Sequence, residues 1–412
     1  MQAIEENNLP PHWSWVKLGN ICEIVMGQSP PSTTYNTDQI GLPFFQGKAE
    51  FSELYPEVRK WCSKPKKLAE PLDILVSVRA PVGSTNIVNQ KCCIGRGLAA
   101  LRYPDCNKYI FYYFRLVENK LDELGTGSTF KAISSKTLNN FEIPLPPLHE
   151  QKQIVEKIEE LFSGLDSGVA SLKKAKEQLR IYRQSVLAHA FSGKLTEEVK
   201  GETKNGELPE GWKWVKLGEL SELITKGASP RWQGFEYVSD QTQTLFVTSE
   251  NVRDNYLDIS KPKYLEDSFN EKQKRSILKK GDVLFNLVGA SIGRATVFNI
   301  DIKSNINQAV AVIRLKDKLK NNYLSYYLNS ESAKKYYMNE VVDFARANLS
   351  LTDTSNIPIP YCPLAQQTQI VEEIESRFAG SEALEKAIDE SLTKAETLRQ
   401  SILKKAFEGK LV

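Results

Sequence analysis

Amide, hydroxyl, guanidinium and ammonium side chains sit on short loops in two separate stretches of this chain. In the first stretch they are Gln28 and Ser29 in residues 27–32, Arg79 in 77–84, Arg96, and Ser128, Thr129 and Lys131 in 127–131. In the second they are Lys226, Arg231 and Gln233 in residues 226–233, Arg294 in 291–294, Gln308, and Arg346 and Asn348 in 346–348. Groups of this kind bond to base edges in a duplex groove and to phosphate oxygens. Any one of them alone reads as a solvated loop residue. As sets recurring at matching places, they point to nucleic-acid contact.

Covalent chemistry has no comparable footing. Gly41…Gly47-Lys48 resembles a phosphate-binding loop, but has one residue too many between its glycines and Ala49 where a magnesium-binding Ser or Thr belongs. Gly95-Arg96-Gly97-Leu98-Ala99-Ala100 fits G-x-G-x-x-A without a βαβ unit around it, which predicts a turn between strands. The histidines are His12, His149 and His189, none placed beside a nucleophile, and the six cysteines lack C-x-x-C spacing. Buried reduced thiols and no metal site are expected, and the chain is not expected to be an enzyme.

The elements that must position the loops are written twice. Leu9-Pro10-x-x-Trp13-x-Trp15-Val16-Lys17-Leu18-Gly19 returns as Leu208-Pro209-x-x-Trp212-x-Trp214-Val215-Lys216-Leu217-Gly218, and each copy runs on to Gly-x-Ser-Pro at Gly27 and Gly227. Asp73-Ile74-Leu75-Val76 answers Asp282-Val283-Leu284-Phe285, and Tyr109-x-x-Tyr112-Tyr113 answers Tyr323-x-x-Tyr326-Tyr327. Ile143-Pro144-x-x-Pro147-Leu148 answers Ile359-Pro360-x-x-Pro363-Leu364, and Arg183-Gln184-Ser185 answers Arg399-Gln400-Ser401. A period this long excludes a solenoid and indicates tandem duplication of a two-part module.

The first part of each module alternates short β-rich runs with Gly/Pro/Asn loops, which predicts a compact α+β domain. The second is a heptad. It runs through Ile154, Ile158, Leu161, Leu165, Gly168, Leu172, Ala175, Leu179, Tyr182 and Val186, then in the second copy through Ile370, Ile374, Arg377, Ser381, Leu384, Ile388, Ser391, Ala395, Leu398 and Ile402. That period predicts two long helices packed on each other, opened near Pro147 and Pro363 and stopped at Gly193 and Gly409. Lys+Arg of 54 against 51 Asp+Glu leaves a net charge of +3, with 41% hydrophobic residues, the composition of an ordinary globular protein. No membrane span and no signal peptide is expected, hence a cytoplasmic location.

The tryptophan motif, Gly27-x-Ser29-Pro30, Pro144-Leu145-Pro146-Pro147-Leu148-x-Glu150-Gln151-x-Gln153-Ile154-Val155 and Gly193-Lys194-Leu195, with their second copies, cover nearly the whole chain. Together they resemble the specificity subunit of type I restriction-modification systems. The second copy departs at Ala365-Gln366-Gln367, where the first has His149-Glu150-Gln151. The resemblance implies two α+β target-recognition domains, residues 1–147 and 208–362, at opposite ends of a long antiparallel two-helix coiled coil with a pseudo-twofold internal repeat. Its helices would be residues 148–195 and 363–412, with a linker at 196–207. It also implies double-stranded DNA read as a bipartite target, two methyltransferase subunits docked on the helices, and restriction subunits joining them. S-adenosylmethionine, ATP and magnesium would sit on those partners, with no cofactor on this chain. Read from its residues alone, the chain also fits a coiled-coil scaffold that assembles proteins without touching DNA.

Overall fold

The structure, a computed structural model, describes residues 9–127, 131–195, 208–339 and 348–412. Contacts divide the chain into two units, Met1–Lys173 with Asp389–Val412, and Lys174–Ile388. Each long helix is therefore shared between the units, rather than forming a segment of its own.

In the first unit the strand Ile74–Ser77 is buried at every residue. It lies in a four-stranded antiparallel sheet ordered Glu23–Met26, Leu98–Arg102, Ile74–Ser77, Thr85–Ile87. Side chains of a strand alternate between faces. Ile74, Val76, Ala99 and Leu101 enter one core with the helix Asn107–Leu116, and Leu75, Leu98 and Ala100 enter another with Phe45 and Ile94 of a second sheet. Covering both faces explains why the run reads as continuously apolar. In the second sheet Leu42–Phe45 pairs in parallel with Cys92–Ile94.

The second unit repeats this plan. Its sheet is ordered Ser221–Lys226, Val310–Leu315, Val283–Asn286, Ala295–Val297, and a parallel pair joins Thr244–Val247 to Ser304–Ile306. Val283, Phe285, Ala311 and Ile313 face the helical core while Leu284, Val310 and Val312 face away. At one end of each sheet a buried carboxylate takes a two-pronged arginine. Arg102 meets Asp73 at 3.0 and 2.8 Å, and Arg314 meets Asp282 at 2.8 and 2.7 Å.

The motif at the start of each domain pairs with the motif at its end. Ser14–Lys17 lies antiparallel to Glu142–Leu145, and Lys213–Lys216 to Pro358–Tyr361. Trp13 Nε1 donates to Glu150 Oε1 at 3.0 Å, and Trp212 Nε1 donates to Gln366 Oε1 at 3.0 Å. The second copy thus keeps the acceptor without the charge.

The long helices are Leu148–Phe191 and Leu364–Phe407, 44 residues each, or about 66 Å apiece at ~1.5 Å per residue. Gly193 (φ 75°) and Gly409 (φ 66°) end them in left-handed conformation. There Lys194 N donates to His189 O and Lys410 N to Lys405 O, a wide terminal loop that only a residue without Cβ enters cheaply. Within each unit the helix segments pack antiparallel. In the first unit Ile154, Ile158 and Phe162 share a core with Ile402, Leu403, Ala406 and Phe407, and Asp166 pairs with Arg399. In the second, Val186, Leu187 and Phe191 share a core with Ile370, Ile374 and Phe378, and Arg183 Nη1 meets Glu385 at 2.8 Å.

The seam departs from the strict heptad. Ile370, Ile374, Ser381, Ala395 and Ile402 are buried and Ile388 half-buried as expected. Leu384 and Leu398 are 58% and 50% exposed, so they lie outside it. Phe378, Glu385, Leu392 and Arg399 take the intervening places, because the step after Ile374 is four residues rather than three. On the first helix Ile154 and Ile158 are buried, and Leu161, Leu165, Leu172 and Leu179 half-buried. Gly168 and Tyr182 are exposed.

Cys22, Cys62, Cys92, Cys93 and Cys362 are buried free thiols and Cys106 is half-buried. Burial pushes the Cys22 and Cys92 thiols up to about 12, and those of Cys93 and Cys362 up to about 11, which leaves them unreactive.

Candidate nucleic-acid interface

Strand directions bring the loops of the first unit to one end of its four-stranded sheet. Glu23–Met26 and Ile74–Ser77 finish there, and Leu98–Arg102 and Thr85–Ile87 begin there. Gly27 N donates to Leu98 O at 2.9 Å and Gln28 N to Ile94 O at 3.0 Å, which lays the Gly-x-Ser-Pro turn against the turn that carries Arg96. A Cβ at Gly27 would stand 2.1 Å from Gly95 O, and one at Gly227 would stand 1.8 Å from Ile306 O. The glycine of this motif is required by backbone crowding. The Arg96 backbone N–H donates to Ser29 Oγ at 3.1 Å. Ser29 therefore fixes the neighbouring turn.

Gln28, Arg79 and Arg96 are exposed on this edge. Lys131 lies beside Arg79, since Ala80 N donates to Lys131 O at 3.0 Å. Its ammonium is engaged by Asp122 at 2.7 Å, and the same contact holds the Asp122 carboxyl below its ordinary value. Ser128 and Thr129 lie outside the described residues, as does Arg346 in the second unit.

The second unit carries the same edge with different side chains. Lys226 ends its strand, exposed, and Gln308 stands exposed at the position of Arg96, between Asn307 and Ala309. Asn286 N donates to Arg294 O at 2.9 Å, so the half-buried Arg294 stands at this same end, just before the strand Ala295–Val297. Exposed Asn348 bridges to Val288, which occupies the place of Arg79. Arg231 and Gln233 sit on a short helical turn that directly follows the Gly-x-Ser-Pro motif of this unit. One backbone scaffold thus presents two different sets of donors.

Two groups were missed by loop composition. Lys64-x-Lys66-Lys67 and Lys272-x-Lys274-Arg275 are exposed basic runs at corresponding places in the repeats. Ile94 N donates to Lys67 O at 3.0 Å, and Ser276 Oγ donates to Asn305 Oδ1 at 2.7 Å, so both runs flank the turn bearing Arg96 or Gln308. The repetition of the basic run was the available signal. The second group is where the repeated Arg-Gln-Ser lies. The Arg399 guanidinium sits 5.1 Å above the Phe162 ring, which meets Tyr112 edge-on at 5.8 Å. The Arg183 guanidinium sits 6.0 Å above Phe378, which meets Tyr326 edge-on at 5.7 Å. Each recognition domain is thus held by the start of one long helix and the end of the other. Phe407 closes on Tyr109 and Tyr113 at 5.0 and 5.1 Å, and Phe191 on Tyr323 and Tyr327 at 5.2 and 5.1 Å.

Among the described residues no group of His, Cys, Asp and Glu is placed to hold a metal, and no helix is long and apolar enough to cross a membrane. Comparison with known proteins agrees with the duplicated plan. The model of the family described as "Type I restriction modification DNA specificity domain" matches residues 10–176 and 209–394. The type I restriction enzyme EcoBI specificity subunit of Escherichia coli is 28% identical over 435 residues, covering 100% of this chain and 90% of that protein. The putative type I restriction enzyme MjaX specificity subunit of Methanocaldococcus jannaschii is 42% identical over 196 residues, and that match spans 46% of this chain and less than half, 45%, of the relative. A solved chain described under "Structural basis underlying complex assembly and conformational transition of the type I R-M system" shares the fold, with a TM-score of 0.73 at 24% identity over 98% of this chain and 99% of its own. Matched once in each repeat, from the paired tryptophan-motif strands into the long helices, the chain belongs to the type I restriction-modification DNA specificity family.

Proposed function

We propose that this chain is the non-catalytic, address-reading subunit of a DNA-modifying complex, with each unit reading one half of a bipartite duplex target. The observation that carries this reading is the shared edge. Arg96 and Gln308 stand at one position of one scaffold, and guanidinium and amide groups recognise different bases in the major groove. The repeated basic runs beside them supply sequence-independent phosphate contact. Two methyltransferase subunits, carrying S-adenosylmethionine, would dock on the long helices, and restriction subunits with ATP and magnesium would join them. Duplication of the helix–domain contacts supports two like docking places and hence two methyltransferases per chain. This chain would hold no cofactor itself.

Sequencing that maps methylated adenines in cells carrying the system should return two short half-sites separated by unspecified bases. A duplex containing that sequence should bind with an affinity that falls as salt rises. A chain that assembles its partners yet binds no duplex in a salt-dependent way would be a scaffold instead. Native mass at saturation should give two methyltransferases per chain.

A further inference from the structure

Trp232 is 86% exposed, more than any other large apolar side chain among the described residues. An indole displayed to water in this way keeps a large apolar face available for contact. The backbone beneath it is fixed. Gln233 N and Phe235 N both donate to Pro230 O, at 2.9 and 3.0 Å, and Gly234 closes the turn at a φ of 79°. Phe235 packs edge-on against Phe269, which packs edge-on against Phe246. A rigid turn beneath the ring removes the backbone part of the ordering cost when something covers it.

Its surroundings select a polyanion. Lys226, Arg231, Lys272, Lys274 and Arg275 are exposed in the same two stretches, against Glu236 and Glu271. Lys272 Nζ donates to Gln233 O at 3.3 Å and lies 4.9 Å from the Phe235 ring centre, which places the basic run beside the indole. The corresponding turn of the first unit has Pro31 and Ser32 where the second has Arg231 and Trp232.

We propose that Trp232 is an aromatic wedge that stacks on a base of the half-site read by the second unit, with no counterpart on the other half-site. The inference rests on the reading of this edge as DNA-facing. Aromatic wedges partly unstack a base step, and stacking on an indole face adds affinity without adding a phosphate contact to the salt slope. The wedge then contributes affinity that phosphate contacts do not, and only on one side of the target.

The test uses the full chain with its methyltransferase partner and a duplex carrying the sequence methylated in cells. Trp232→Ala should weaken binding by about ten- to a hundredfold, while Trp232→Phe stays within about threefold of wild type. The salt slope of Trp232→Ala should equal that of wild type, whereas Lys272→Ala should lower it by about 0.9. Hydroxyl-radical protection should weaken in one half-site alone. Wild-type binding with an unchanged Trp232→Ala overturns the wedge and leaves the DNA reading intact. Loss of methyltransferase from Trp232→Ala, with duplex affinity of the chain unchanged, also overturns it and makes the indole a protein contact. A wild-type chain that ignores duplex DNA overturns both.

Discussion

At the scale of single residues, two substitutions separate holding from reading. Glu150 and Gln366 accept the same indole hydrogen bond at 3.0 Å. Glu150→Gln should therefore leave the melting temperature within about a degree, while Glu150→Ala should cost about 1 kcal/mol by stranding the Trp13 N–H; thermal melts of both variants decide it. Arg96→Gln gives the first unit the side chain that the second unit already carries at that turn. It should weaken binding to the original target by about 1–3 kcal/mol and change the methylated motif at one position of one half-site, with the other half-site untouched. An unchanged motif would remove Arg96 from base reading. The role of Ser29 was not legible in the sequence, because a loop serine gives no sign of which backbone amide it will accept. The need for glycine at Gly27 and Gly227 was legible as repetition, and the carbonyls that crowd them explain it.

At the scale of elements, the two basic runs should act as electrostatic rails. Lys64, Lys66 and Lys67 changed together to alanine should lower the salt slope of duplex binding by roughly 2–3, at ~0.9 per lost phosphate contact, without altering the methylated motif. The long helices carry a separate prediction. Seven residues duplicated in each, near Lys173 and Asp389, keep the seam in phase and lengthen each helix by ~10 Å. The methylated sequence should then keep both half-sites and widen its unspecified spacer by up to about three base pairs, at ~3.4 Å per pair along a strand. A changed half-site with an unaltered spacer would refute this. Helix existence, length and caps were legible, since Pro147, Pro363, Gly193 and Gly409 punctuate a strong period. The seam was only partly so. Phe162 and Phe378 are drawn off strict spacing by Tyr112 and Tyr326, which belong to the domains and not to the helices. No reading of helix periodicity alone contains that pull, so Leu384 and Leu398 looked like seam residues.

At the scale of the whole chain, the segment at Pro10 meets the segment at Gly409 within the first unit. A Cβ at Gly409 would lie 2.3 Å from Pro10, as one at Gly193 would lie 2.2 Å from Pro209. Joining Leu411 to Leu9 through a copy of residues 196–207, and opening the chain within that original segment, should leave a soluble protein that directs methylation to the same sequence. A permutant that folds but methylates elsewhere, or nowhere, would count against equivalence of the two junctions. The clamping of each domain by both helices has one more consequence. A chain ending after Leu195 would keep the tyrosine cleft of Tyr109 and Tyr113 but lose Phe407, and would leave Phe191 with no ring to meet. Two such half-length chains could each lend the other the missing phenylalanine. Carrying both modules on one chain removes the requirement that they bear the same reading side chains, as Arg96 and Gln308 at one scaffold position show.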